Sequence, residues 1–313
     1  MSTESPGADR FARAIFLRRS RSGSEATWKM WVRRPYAPGM PALRSPDARV
    51  VAFHRLHASG CFVMPNPWDA GSARALEQLG FPALATTSAG CAWTLGRSDN
   101  RITLDEALAH LRAVAAAVSV PVNADFEGGF AIEPERVAEH VKLAAATGIA
   151  GLSIEDSTGD ESDPLYGFEL AVERIRAARS AIDECGIGEG RGIVLTGRSE
   201  GFLWGRPDID ETARRLSAYA EAGADCLYAP RITTPAQIAT LVAAVAPKPL
   251  NLLINSPFLT VAEAAAMGVR RISVGGTLAR TAWAGFLAAA TEIAKEGTFS
   301  RFEHLPNVDA LLR

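Results

Sequence analysis

Gly151-Leu152-Ser153-Ile154-Glu155-Asp156 is the stretch that decides the fold: a short apolar run closing on two acids. Upstream, Pro121-Val122-Asn123-Ala124-Asp125 closes in the same way, and Arg97-Ser98-Asp99-Asn100 places a further acid just beyond another such run. An ionised oxygen leaving water needs a cation or hydrogen-bond donors to compensate it, so carboxylates seldom end apolar strands for stability's sake. Asp99, Asn123, Asp125 and Glu155 therefore read as one metal site assembled from several strands. Oxygen ligands without His or Cys point to a hard divalent ion, Mg2+ with Mn2+ as a substitute, rather than zinc.

Working outward, comparable runs recur at Cys61 to Met64, Ala83 to Thr86, Val120 to Asn123, Gly151 to Ile154, Ile193 to Thr196, Cys226 to Tyr228, Leu250 to Ile254 and Arg271 to Val274. Between them lie Ala-, Glu- and Arg-rich stretches of helical period: Pro134 to Thr147, Phe168 to Glu184, Ile209 to Ala222 and Pro235 to Val245. Gly80, Gly148, Gly186, Gly223 and Gly268 stand between helix and next strand. Strand and helix alternating at this spacing predict an α/β fold with a parallel sheet, and eight runs are what a (β/α)8 TIM barrel requires. An open doubly wound sheet competes, but Pro65-Asn66-Pro67-Trp68-Asp69-Ala70-Gly71 after the first run is no Gly-rich nucleotide loop. In such barrels reactive groups gather at the C-terminal ends of strands. Here those ends are polar throughout, with Ser88, Asn123, Asp125, Glu155, Asp156, Arg198, Arg231, Asn251 and Asn255 among them.

A chain of 313 residues, 48% hydrophobic and with a formal charge of -2, is expected to build one large core, without nucleic acid or membrane as a partner. The widely spaced Cys61, Cys91, Cys185 and Cys226 show no ligand-type pairing, and a reducing cytoplasm is the simplest setting. Residues 1–48, Arg-rich and punctuated by Ser, Gly and Pro, are expected to form a poorly ordered, irregular N-terminal extension. Targeting and an upstream-misplaced start are other readings of that segment. Residues 49–313 are expected to form the barrel, led by a short helix over Val50 to His57.

With the strand ends laid out, residues 50–295 resemble the isocitrate lyase and phosphoenolpyruvate mutase superfamily. Pro65 to Ala73 is similar to the family's first-strand segment, Thr87-Ser88-Ala89-Gly90 to its substrate-carboxylate loop, and Asn123 to Phe130 to its Asp-x-Asp-x-Gly-Tyr-Gly metal motif with an inserted Glu. Ile154-Glu155-Asp156 resembles the Ile-Glu-Asp signature, Thr196 to Glu200 an Ala-Arg-x-Asp segment, and Ala222-Gly223-Ala224-Asp225 the segment ahead of strand six. The resemblance implies an enzyme that stabilises the enolate of a small 2-oxo or 2-hydroxy carboxylic acid through Mg2+. Asp99, Asn123, Asp125 and Glu155 would hold the metal; Arg198, Glu155 and Asp156 would act in catalysis; Ser88, Ala89, Gly90 and Asn251 would bind the substrate. It also implies a homotetramer in which the last barrel helix, near Leu278 to Lys295, packs on or swaps with a neighbour. The apolar face of that helix, Ala282, Phe286, Ala289 and Ile293, suits that or docking on its own barrel.

Departures narrow the chemistry. Asn123 replaces the first acid of the metal motif. The lyases' Lys-x-Cys-Gly-His loop is replaced by Ser157 to Gly167, which holds no Cys, Lys or His, and the mutase loop with its Lys and Asn is missing too. What remains resembles the oxaloacetate decarboxylase branch and uncharacterised relatives, so the expected activity is a Mg2+-dependent decarboxylase or small-acid C-C lyase. A C-P bond mutase and a catalytically silent metabolite binder are the alternatives.

Each residue also has a bland reading. Asp156 would orient Arg198, Asp99 would cap a helix at Thr103 to Glu106, and Asp160, Glu161 and Asp163 would be a solvated loop. Cys91 reads as a buried small thiol, and His54, His57, His110, His140 and His304 as surface or packing residues. Val274-Gly275-Gly276-Thr277 admits a phosphate cradle at a helix N-terminus, which would instead signal a phosphosugar enzyme.

Overall fold

The computed structural model describes residues 46–312. The expected extension over residues 1–48 thus lies, up to residue 45, outside the described residues. Helix α1 (Pro46–Ala58) begins slightly ahead of the anticipated start, with Pro46 in the first helical position and Asp47 in the first turn, where a missing N-H and a negative charge both suit a helix N-terminus.

All eight apolar runs become strands: β1 (Phe62–Met64), β2 (Leu84–Ala85), β3 (Val122–Asp125), β4 (Gly151–Glu155), β5 (Val194–Arg198), β6 (Cys226–Tyr228), β7 (Leu250–Leu253) and β8 (Arg271–Ser273). They pair in parallel in the order β1-β8-β7-β6-β5-β4-β3-β2, a nearly closed (β/α)8 barrel. Outside lie α2 (Ala70–Gln78), α3 (Ser88–Thr94), α4 (Leu104–Ala117), α5 (Pro134–Ala145), α6 (Phe168–Glu184), α7 (Ile209–Glu221), α8 (Pro235–Val245), α9 (Val261–Ala266) and α10 (Thr277–Glu296). Caps set several of these starts: Thr103 and Glu106 bond reciprocally ahead of α4, and Thr234 and Gln237 ahead of α8. Because Thr103 caps α4, Asp99 is not needed there.

The seam between β1 and β2 is closed by Asn66. Its Nδ2 donates to the Thr86 carbonyl at 2.8 Å, and its Oδ1 accepts from the amides of Val274 and Gly275, each at 2.9 Å. One backbone bond, Ala85 N to Pro65 O at 3.0 Å, accompanies it. Two of the amides considered for a phosphate cradle are therefore already occupied, which removes the phosphosugar reading.

Strand alternation sends Leu152, Ile154, Val122 and Leu195 outward under the helices, where they are buried. Inward go Asn123, Ser153, Thr196, Asn251, Arg271 and Ser273, so the barrel interior is polar, unlike the branched apolar filling usual for this fold. Arg271 organises it: Nε donates to Asn251 Oδ1 at 2.8 Å, Nη2 to Thr196 Oγ1 at 3.0 Å, and Nη1 to His57 Nε2 at 3.2 Å. Helix α1 plugs the N-terminal mouth beside this network. A Cβ on Gly151 would lie 2.7 Å from the Phe53 ring and 2.9 Å from Asn123 Oδ1, so only glycine fits at the start of β4.

On the far side, α10 does not dock on its own barrel through the face read from sequence: Phe286 is 59% and Ile293 38% exposed, with Trp283 beside them at 43%. No helix among the described residues is long and apolar enough to cross a membrane.

Two outcomes follow from these contacts. Asn66→Ala leaves up to three backbone groups, one buried and two partly buried, without this partner and should cost about 2 kcal/mol in urea unfolding; a cost below about 0.5 kcal/mol would show that the seam does not depend on this side chain. His57 donates from Nδ1 to the Phe53 carbonyl at 2.8 Å, which leaves Nε2 to accept from Arg271. Burial first, and then the Arg271 charge, push its pKa down from 6.5 to about 3. The folded state thus refuses a proton that the unfolded chain accepts, so this stabilisation is whole above pH 6.5 and is lost as pH falls toward 3. The slope of unfolding free energy against pH between these limits should fall by about 1.4 kcal/mol per pH unit in His57→Gln. An unchanged slope would show that the imidazole is charged in the folded protein.

Candidate active site

A cavity of about 240 Å3 opens at the C-terminal end of the barrel, with Asp125, Arg198, Tyr228 and Asn251 on its walls and Arg271 toward the interior. Arg198, the last residue of β5, is the hub. Its Nη1 lies 3.2 Å from both Asp125 Oδ1 and Glu155 Oε2, and its Nε donates to Glu200 Oε1. The guanidinium also covers the Tyr228 ring, 5.0 Å from its centroid.

Carboxyl groups outnumber the cation. Burial works against the Arg198 charge, but Glu200, Glu155 and Asp125 outweigh it and hold the guanidinium well above its ordinary pKa. Burial drives the Glu155 carboxyl well above its usual range, with Arg198 opposing and Glu200, Asp125 and Glu127 adding to the rise. Glu127 is pushed up to about 8 by burial and by the Asp125 and Asp99 charges, and its Oε1 is buried without a partner. Its backbone stands at φ 46°, a left-handed conformation uncommon for a residue with a side chain. Glu127 and Glu155 line a second, adjoining pocket of about 290 Å3, outside the main cavity.

The residues expected from sequence fall into distinct places. Asp125 is held by Ser88, whose amide and hydroxyl both donate to Oδ2 at 2.9 and 3.0 Å, and by Thr86 Oγ1, which accepts from the Asp125 amide. Ser88 and Ala89 do line the cavity, but the Ser88 donors are committed to Asp125 rather than open to a ligand. Gly90 stands apart from the cavity: its amide bonds the Thr87 cap, and a Cβ there would meet Thr87 at 2.5 Å and Trp68 at 2.8 Å. Close packing of α3 on Trp68 therefore explains this glycine. Asn251 lies deep in the cavity, with its Nδ2 donating to Ser273 Oγ at 3.0 Å. Asp99 stands exposed on the rim, its carboxyl raised by desolvation and by Asp125. Cys91 is buried, its thiol pushed up to about 11 chiefly by that burial, and is no nucleophile.

Two expectations need correction. Asp156 follows Glu155 on the opposite face of β4 and never reaches the cavity. Its Oδ2 accepts from Tyr219 Oη at 2.7 Å and from Arg215 at 3.1 Å, and its Oδ1 from the Glu200 amide at 2.7 Å. It ties β4 to α7 and fixes the segment carrying Arg198 and Glu200, a positioning arrangement away from the cavity. Second, the four expected metal ligands do not close into a cage. Arg198 stands between Asp125 and Glu155, Asp99 is out on the rim, and no three His, Cys, Asp or Glu side chains among the described residues gather closely enough to hold an ion.

Sequence reasoning passed over Glu200, Tyr228 and Arg271. Alternation from Arg198 along β5 would have put Glu200 on the same side. Tyr228, the last residue of its apolar run, pairs in register with both Arg198 and Asn251, so the strand ends there and not at the later Arg231.

A sequence model of the phosphoenolpyruvate phosphomutase family matches residues 53–294. An uncharacterised Mycobacterium tuberculosis protein is 34% identical over 228 residues, 72% of this chain and 82% of its own length. An oxaloacetate decarboxylase of Bradyrhizobium diazoefficiens is 30% identical over 198 residues, 60% of this chain and 65% of its own. Among solved structures, a Burkholderia cenocepacia protein provisionally described as a lyase/mutase superposes with a TM-score of 0.81 at 46% identity, covering 84% of this chain and 95% of that one. The extent of the family match and the shared barrel show that this chain belongs to the phosphoenolpyruvate phosphomutase family, whose members are carbon-carbon lyases or mutases.

Proposed function

We propose that the protein is a Mg2+-dependent decarboxylase or carbon-carbon lyase that releases a pyruvate-type enolate from a small 2-oxo or 2-hydroxy acid, with Mn2+ as a substitute metal. The observation that carries this is the Arg198 hub: a fixed cation joined to Asp125 and Glu155 at the wall of a cavity sized for a small acid. The identity to an oxaloacetate decarboxylase points the same way.

The donor set suits magnesium. Asp125 offers a carboxylate and Asn123 a buried Oδ1 that has no partner among the described residues, while the neighbouring Glu127 and Glu155 carboxyls, held above the usual carboxylate range, would ionise more readily beside a cation. Mg2+ keeps several waters and is commonly held by one or two carboxylates plus substrate oxygens, so a closed cage is not required. When bound, the ion supplies positive charge to the oxygen on which the enolate charge develops. Arg198 adds a preorganised charge in the same cavity, and Ser88 and Thr86 keep Asp125 from turning away. At the mouth, Arg231 and Arg280, without an ion-pair partner among the described residues, would receive a second carboxylate.

The segment after β4 argues against C-P chemistry. It folds on itself through the Ser157–Leu165 bridge and the Thr158 amide to the Pro164 carbonyl, it exposes Asp160, Glu161 and Asp163, and it holds no Lys or Arg that could pair with a phosphonate. Trp283, Phe286 and Leu287 on α10 form an apolar face that a second copy would cover, in keeping with a homotetramer.

With Mg2+, a panel of oxaloacetate, citramalate-type acids and methylisocitrate should yield pyruvate from at least one member. Asp125→Ala and Arg198→Lys should each lower kcat/KM by at least ~100-fold. Chelation should abolish release, and Mg2+ or Mn2+ should restore it. No release from the panel, together with no Mg2+-dependent binding of oxalate, an enolate mimic, in calorimetry would refute an enolate site.

A further inference from the structure

A lyase of this kind must return a proton to the carbon left behind when the bond breaks, and the chain lacks the Cys-bearing loop that could do so. We propose that Tyr228 is that proton donor, its phenol delivering the proton to the enolate carbon inside the barrel. This rests on the enolate reading above.

Elimination inside the cavity leads to it. Among the described residues the walls carry no His, Cys, Lys or Glu, and the acid Asp99 stands exposed out on the rim, away from the barrel interior. Arginine does not release a proton in proteins, and aliphatic hydroxyls are far weaker acids than phenols. The Ser88 hydroxyl is in any case bonded to Asp125, and Asp125 is bonded to Arg198. Tyr228 is the one phenol on the walls, and more than nine-tenths of its surface is buried. Its hydroxyl makes no hydrogen bond within the described residues, whereas the other deeply buried tyrosine, Tyr219, donates to Asp156 at 2.7 Å. The Tyr228 oxygen keeps access to the cavity, where substrate would lie, and is not sealed off among neighbouring side chains. Burial keeps the phenol protonated, above its ordinary pKa, and Arg198 opposes that rise.

The step balances as follows. The electron pair of the breaking C-C bond becomes the enolate, and the departing carboxylate leaves as carbon dioxide. A C-H bond forms at the enolate carbon as the Tyr228 O-H bond breaks, and the O-H electron pair stays on the phenolate beside the Arg198 guanidinium. A proton from solvent restores the phenol, so decarboxylation consumes one solvent proton per turnover.

Tyr228→Phe is the clean variant, because it keeps the ring that Arg198 covers and removes a hydroxyl that no described residue holds. Two readouts suffice: deuterium entry into the methyl group of pyruvate in D2O, followed by proton NMR, and Mg2+-dependent oxalate binding by calorimetry. The wild type should exchange, and Tyr228→Phe should exchange at least ~100-fold more slowly while its oxalate Kd stays within about threefold. Exchange by Tyr228→Phe within about threefold of wild type would overturn the proposal, as would equal loss of exchange and oxalate binding, which would make the hydroxyl a binding group. If the wild type binds oxalate but exchanges nothing above the buffer rate, the donor role falls and the enolate site stands. If it neither binds nor exchanges, both fall.

Discussion

One guanidinium among several buried carboxylates is the constraint on which the upper half of this barrel depends. Arg198 bonds to Asp125 at the end of β3, to Glu155 at the end of β4 and to Glu200 just beyond its own strand, so a single side chain links three neighbouring strand ends. Breaking such a network by removing one partner leaves an uncompensated buried charge and costs about 3–5 kcal/mol. Much of the nearby structure holds it in place. Ser88 and Thr86 fix Asp125, Asp156 fixes the Glu200 backbone, and Arg215 and Tyr219 fix Asp156. The carboxyl groups still outnumber the cation, and burial together with their mutual repulsion holds Glu155 and Glu127 above the usual carboxylate range, so ionising them all would call for a further positive charge.

A second cation governs the lower half. Arg271 is buried with neutral acceptors only, on Asn251, Thr196 and His57. Its charge costs less there because every one of its nitrogens finds an oxygen or an imidazole lone pair. The imidazole can serve only while it is neutral, which couples the plug helix α1 to the barrel interior through one hydrogen bond. A polar interior of this kind leaves room for a polar cavity at the top, where an apolar filling would have closed it.

Much of this was open to reading in the chain. Apolar runs of strand length, separated by amphipathic helical stretches, determine a barrel almost by count, and acids at run ends signal a polar cluster there because a carboxylate leaving water needs a compensating partner, which Arg198 supplies. Asp125, Glu155 and Arg198 were legible for that reason. Asp156 misled because adjacency in sequence is not adjacency in space: along a strand, neighbours point to opposite faces, and Asp156 went to the helices while Glu155 went inward. Gly90 misled because a glycine required by the Trp68 contact looks, in sequence, like one required by a ligand.

By itself, then, the sequence determined the eight strands, their parallel order through helical crossovers, the family and the acidic strand ends, since these depend on local period and residue type. Only the tertiary structure decided which groups are already committed to one another. That Ser88 serves Asp125, that Asn66 occupies the Val274 and Gly275 amides, that Arg198 separates the acids expected to share a metal, and that the Tyr228 hydroxyl has no partner among the described residues are all facts of long-range contact. Hydrogen bonds between residues tens of positions apart leave no periodic trace in a chain, because each depends on where other strands end and not on the local run in which the residue lies.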